Sequence, residues 1–242
     1  MKNIVRTLAS LLALALTHAP SALAQASCSS DGTPQPVAIF ERFISADCEV
    51  CWSDVATPAP SATAGAAVLD WIVPGKAGDD APLSAAATSD ALARLHAIGR
   101  KPPTTTDVFV ASVDAPLPAR LRVAHGLPFN DYLGTGISLT PARKAQPQAT
   151  PAAPLAFHLL LVEAVPAGSD GTVVPRAIVR NLLQGTWTES GLQASAKGTP
   201  PHWMETRSMR IPDGAKAERL RLVGWVQDAE GRVMAAAQSV CR

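Results

Sequence analysis

Cys48 and Cys51 are the residues of this chain whose type and spacing point most directly to chemistry. They follow the run Val37-Ala38-Ile39-Phe40-Glu41-Arg42-Phe43-Ile44 and a short polar turn, Ser45-Ala46-Asp47. β-Branched and aromatic residues in such a run predict a buried strand. A helix opening at Cys48 would set the first thiol beside unpartnered backbone N–H groups, at the positive end of the helix dipole. That setting favours the thiolate, which is the form that attacks disulfides. The chemistry expected is therefore thiol–disulfide exchange through a mixed disulfide, with Cys48 attacking and Cys51 resolving. Such a reaction needs a protein redox partner and no bound cofactor. The competing expectation is a protein without catalysis, in which both of its bridges are permanent and its role is structural or interactive.

The neighbours bear on the potential of the pair. Asp47 and Glu49 are both acidic and oppose the thiolate, and no Lys, Arg or His adjoins them in sequence. A less stabilised thiolate means a more stable disulfide. The expected potential is nearer the reducing end, about −270 mV, than that of a strong oxidant near about −120 mV.

Other chemistries find less support. Two thiols with Met or His could hold Cu(I), which prefers soft ligands. However, His96, His125, His158 and His202 are scattered, with no His-x-x-x-His and no second Cys-x-x-Cys, so no metal site is assigned. There is no Gly-x-Ser-x-Gly, Ser-x-x-Lys or His-Glu-x-x-His. Gly134-Thr135-Gly136 lacks a third glycine and is no phosphate loop.

The elements that must position the dithiol lie in a chain of 242 residues with 21 basic and 20 acidic side chains. Lys2 and Arg6, an apolar stretch from Leu8 to Leu16 and the small-x-small site Ala22-Leu23-Ala24 read as a signal peptide over 1–24, with a second possible cut after Ala26. Gln25 stands where a lipoprotein signal before Cys28 would carry Leu, so no lipid anchor is expected. Cleavage after Ala24 takes the basic residues from 21 to 19 against 20 acids, a charge of −1. That balance gives no electrostatic footprint for nucleic acid, and no later segment is apolar for long enough to span a membrane. A periplasmic or secreted protein is expected.

All four cysteines lie beyond the leader, and in an oxidising compartment four cysteines read as two disulfides. Three pairings are possible, and spacing favours Cys48–Cys51 with Cys28–Cys241. On the chain-entropy model a loop of about 200 residues is worth roughly 5 kcal/mol, and one of four residues only about 2 kcal/mol. Cys28–Cys241 is thus a staple between the chain ends, whereas Cys48–Cys51 is easier to explain as reversible chemistry.

After the Cys-x-x-Cys turn the helix has room for about two turns before Pro58 and Pro60. Ala66 to Val73 reads as a second buried strand, parallel to the first. Ser84 to Ile98 reads as a helix capped by Gly99, and Asp107 to Val113 as a third strand. Gly126 to Tyr132 looks like loop. Residues 142–154 are a Pro/Ala-rich loop. Beyond it the chain is written in strands, Leu155 to Val165, Val173 to Arg180, Trp203 to Ile211 and a hairpin from Arg219 to Val240, which suggests an antiparallel sandwich.

Four stretches resemble a secreted bacterial family known only as a domain of unknown function. Val37 to Cys51 is similar to its opening strand and Glu-Leu-Phe-Thr-Ser-x-x-Cys-x-x-Cys, and Gly75 to Ser84 to its Gly-Trp-Lys-Asp-Pro-Phe-Ala-Ser. Val179 to Trp187 resembles its Val-Val-Arg…Gly-x-Trp, and Leu222 to Asp228 its closing strand. The chain departs from it in carrying Trp52-Ser53-Asp54 where the family has Pro after the second Cys. The family's His-Val-Asp-Tyr-Trp is reduced to Leu69-Asp70-Trp71. The resemblance implies α/β plus all-β architecture: a thioredoxin-like domain over 27–134 and an antiparallel β-sandwich-like domain over 135–242. Thioredoxin-like folds set a cis proline before the strand beside the disulfide, and Pro103 is the candidate for that role.

Overall fold

The computed structural model describes residues 28–114, 117–142, 154–193 and 200–241. The leader and most of the 142–154 loop lie outside the described residues. Twelve strands run in chain order: β1 (Cys28–Ser29), β2 (Ala38–Ser45), β3 (Ala66–Val73), β4 (Thr106–Ser112), β5 (Ala119–Phe129), β6 (Tyr132–Pro141), β7 (Leu155–Val165), β8 (Arg176–Trp187), β9 (Trp203–Arg210), β10 (Leu220–Gln227), β11 (Val233–Gln238) and β12 (Val240–Cys241). Among the described residues two α-helices accompany them, α1 (Glu49–Ser53) and α2 (Ser89–Ala97).

The strands form a five-stranded sheet, β12-β1-β5-β6-β9, and a seven-stranded sheet, β11-β10-β7-β8-β3-β2-β4. The smaller sheet packs over the β7–β10–β11 half of the larger one. Between them lies an apolar core that includes Leu121, Val123, Ile137, Leu159, Leu222 and Trp203. A second core, with Phe43, Trp71, Leu95 and Trp225, lies under α2 on the opposite face. Period-two alternation decides this division: Leu220, Leu222 and Val226 of β10 join the first core while Val223 and Trp225 join the second. Gly224 lies on the sandwich side, where a Cβ would sit 2.8 Å from Val123 Cγ1. Trp187, Trp203 and Trp225 are all buried, so the aromatics of the β-rich half are core.

The expected α/β fold class is corrected. Among the described residues strands take 51% and helix 13%, and the architecture is mainly all-β, with no thioredoxin-like α/β core evident in them. The physical reason lies in α1. Asp54 leaves the helix in extended conformation (ψ 116°) only five residues in, so α1 is too short to cover a sheet face. The parallel β2–β3 pair is completed sideways instead. β4 adds antiparallel to β2, and β8 adds parallel to β3 through the pair Asp70↔Ile178. Strands from both sides of position 134 therefore share one sheet, and the 134/135 boundary falls inside β6.

Local differences have local causes. The helix expected over 84–98 begins at Ser89, because Ala87 bridges Ile72 and the Thr88 N–H donates to the Ile72 carbonyl at 3.2 Å. Thr88 then caps the helix, its Oγ1 accepting from the Ala91 N–H. The 126–132 segment is not loop. β5 and β6 run through it to a tight turn at Asn130 (φ 46°) and Asp131 (φ 60°), the left-handed pair that a two-residue hairpin requires.

Candidate functional site: a clamped dithiol at the end of a central strand

β2 is buried along its length because β3 and β4 flank it, α2 covers one face and α1 packs near its end. At its end the Ala46 N–H donates to the Val73 carbonyl at 2.8 Å, and the chain turns at Asp47 into α1. Cys48 is the N-cap of α1 and Cys51 lies in its first turn, with the Cys51 N–H donating to the Cys48 carbonyl. The two cysteines are joined by a disulfide. Cys51 is buried in a cluster with Ile44, Ile72, Val165 and Ile178, and Cys48 is only partly covered. A visiting sulfur therefore meets Cys48 first. This is the order an attacking and a resolving thiol need.

Three contacts hold this turn, and each comes from a different part of the chain. The Asp47 carboxylate accepts the N–H groups of Lys76 (2.7 Å) and Ala77 (3.2 Å). That approach requires glycine at 75, where a Cβ would lie 2.1 Å from Asp47 Oδ1. The Trp52 indole N–H donates to the Asp170 carbonyl at 2.8 Å, and Gly171 packs against the same ring. The loop carrying both is pinned by ion pairs from Asp170 to Lys216 and Arg219, whose hydrogen bonds hold the Asp170 carboxyl below the usual carboxylate range.

The third contact is Arg176, at the start of β8. Its Nη2 donates to the carbonyls of Cys51 (2.8 Å) and Trp52 (2.6 Å), and its Nε to Trp52 (3.1 Å). Nη1 reaches Thr57 Oγ1 at 3.3 Å, and the guanidinium lies over the Trp52 ring, 5.3 Å from its centroid. These bonds occupy carbonyls that a short helix leaves without partners. Asp70 lies beneath, 3.7 Å from Arg176 and doubly bonded by Arg42 at 2.6 and 2.9 Å, and it also accepts the Ala177 N–H. Burial lowers the Arg176 pKa, Asp70 raises it, and the neighbouring Arg42 lowers it again. The buried trio holds two cations and one carboxylate.

A second buried pair supports β2 from its other face. Glu41 accepts from Arg94 at 2.9 and 2.6 Å and from the Trp71 indole at 2.9 Å. Arg94 lies over the Trp225 ring, and His158 stacks on that ring at 4.7 Å. Burial pushes the His158 pKa down to about 4, with the Arg94 charge acting in the same direction.

Cys28 and Cys241 face each other across the β1–β12 pair and are joined by the second disulfide. His125 lies against them, its ring within 4.8 Å of both sulfurs, and those sulfurs are bonded to each other. Among the described residues no acidic or histidine ligand joins Cys48 and Cys51 in a metal-sized cluster. His96 and His202 stand elsewhere. Every described peptide bond is trans, that of Pro103 included, so the expected cis proline is not there. The 103–105 segment instead approaches the end of β2 through the Thr105 carbonyl, which accepts from the Ser45 N–H at 2.8 Å.

Sequence reasoning missed Arg176 and the 166–172 loop as partners of the dithiol. A charged residue inside Val173-Val174-Pro175-Arg176-Ala177-Ile178-Val179 was the available signal, because a buried arginine has to be paired. Its partner, 125 positions earlier, could not be read from the sequence.

No family model matches this chain, and no curated protein does. Two chains of solved structures match. One is HBP35 of Porphyromonas gingivalis, at 13% identity and a TM-score of 0.47, with 86% of this chain and 76% of that chain covered. That likeness is too slight to carry an argument.

Proposed function

We propose that this protein is exported and exchanges disulfides with a protein partner through Cys48 and Cys51. One observation carries the reading: Cys48 is partly exposed just beyond the end of a buried strand, while Cys51, to which it is bonded, is buried. In the reduced protein the Cys48 thiolate attacks a partner disulfide, forms the mixed disulfide and releases one partner thiolate. The Cys51 thiolate then attacks the Cys48 sulfur, releases the second partner thiolate and leaves the Cys48–Cys51 disulfide. The partner gains two electrons, the dithiol loses two, and no cofactor enters.

Export is supported by the leader-like residues 1–24, by two disulfides that use all four cysteines, and by the resemblance to a secreted family. Among the described residues no helix is long and apolar enough to cross a membrane. The test is Cys51→Ala in the native compartment, where Cys48 should accumulate in mixed disulfides that a reductant releases. Absence of any adduct, in a variant that still folds, would leave the pair a local brace.

A further inference from the structure

We propose that Arg176 is the positioning residue of the Cys48–Cys51 dithiol, fixing the end of α1 and supplying the positive charge that favours its reduced form. The proposal deepens the exchange reading and rests on it. It starts from a conflict. Asp47 and Glu49 oppose a thiolate, and the adjacent sequence holds no cation to offset them. The fold supplies what the sequence lacks. The Asp47 carboxylate is turned onto two backbone N–H groups, and a guanidinium is bonded to the carbonyl of Cys51 itself.

The charge is not cancelled locally. Asp70 is shared between Arg42 and Arg176, with Arg42 holding both of its oxygens at 2.6 and 2.9 Å. Asp54, beyond the end of α1, is the other carboxylate whose charge acts on Arg176, and it is exposed. Arg176 has no side-chain exposure, so solvent and salt screen it weakly. A cation beside the pair stabilises thiolates and leaves the neutral disulfide unaffected, so the dithiol gains and the potential rises. Arg176 bonds to the carbonyls of Cys51 and Trp52. It acts through the backbone of the helix and through its field.

Equilibration of the full chain with dithiothreitol, followed by alkylation and mass mapping of Cys48 and Cys51, reads this directly. The couple is balanced: the protein disulfide and dithiothreitol give the protein dithiol and cyclic oxidised dithiothreitol. Arg176→Met should shift the equilibrium about tenfold toward the protein disulfide, about 30 mV. Arg176→Lys keeps the charge and should stay within about threefold of the parent. Asp54→Asn keeps its hydrogen-bond acceptor, lies on the surface and should move the equilibrium at least twofold toward the dithiol. An Arg176→Met protein within twofold of the parent overturns the proposal, as does a Lys variant shifted as far as Met. Should Arg176→Met fail to fold, an unchanged Asp54→Asn protein overturns it alone. The small dithiol sets this equilibrium even for a pair that no protein visits. Failure to trap a partner therefore sinks the exchange reading separately.

Discussion

The two halves of the seven-stranded sheet are held in opposite ways. Where β7, β10 and β11 face the smaller sheet, the interior is mainly apolar, with Thr135 and Glu163 as buried polar exceptions, and Cys28 and Cys241 beside it are tied by a disulfide spanning 213 positions. Where β2, β3 and β8 meet, the interior carries Glu41, Arg42, Asp70, Arg94 and Arg176, and the disulfide spans three positions. The first arrangement makes a scaffold, because burial of apolar surface is non-directional and tolerates little polar chemistry. The second fixes geometry, since each buried charge must keep a particular partner. A short element that has to present one sulfur and hide another needs the second kind of support.

Removing the bridges separately tests this contrast most strongly. Replacing Cys28 and Cys241 by Ala should cost about 5 kcal/mol in urea unfolding, since it frees both chain ends. The polar half should be next in sensitivity. Asp70→Asn leaves Arg42 and Arg176 without their shared carboxylate and should cost about 4 kcal/mol in the same measurement. A loss under about 1 kcal/mol would show that the charges do not hold this half together.

The pH dependence sharpens the comparison, because His158 of β7 turns away from the smaller sheet and stacks on Trp225 beside Arg94. Its folded pKa is about 4 against 6.5 unfolded, so the unfolded chain binds the extra proton between those values. The stability it contributes is complete above pH 6.5 and is lost as pH falls toward 4, up to about 3 kcal/mol. His158→Gln should flatten that part of a stability–pH curve. Replacing Cys48 and Cys51 together should cost only about 2 kcal/mol. The smallest effect belongs to Trp52→Phe, about 1 kcal/mol for the bond to Asp170. A dithiol replacement as costly as loss of the staple would erase the distinction between the two bridges.

Much of the local structure was legible in the residues. The β2 run, the turn at Ser45–Asp47 and the strands of the last third follow from period and turn chemistry. Both disulfide pairs join the cysteines that spacing favoured. The sheet order was not legible. A strand beside a Cys-x-x-Cys turn suggests an α/β unit, but α1 is five residues long and its sheet is completed by β8, more than a hundred positions later. Such long-range pairing leaves no local period. The same is true of the clamp: Glu41, Arg42 and Asp70 stand out as charges in apolar runs, yet only the fold pairs Glu41 with Arg94, and Asp70 with Arg42 and Arg176. The Asn130-Asp131 hairpin was within reach, since two residues that tolerate left-handed backbone separate two alternating runs.

The central claim is that one bridge exchanges while the other holds the fold. Stepwise reduction of the native protein by dithiothreitol, with alkylation and mass mapping of each cysteine, tests it most directly. The account predicts that Cys48 and Cys51 are labelled first, in a protein that still unfolds cooperatively, with Cys28–Cys241 intact. Opening of Cys28–Cys241 first, or of both bridges together, would contradict it.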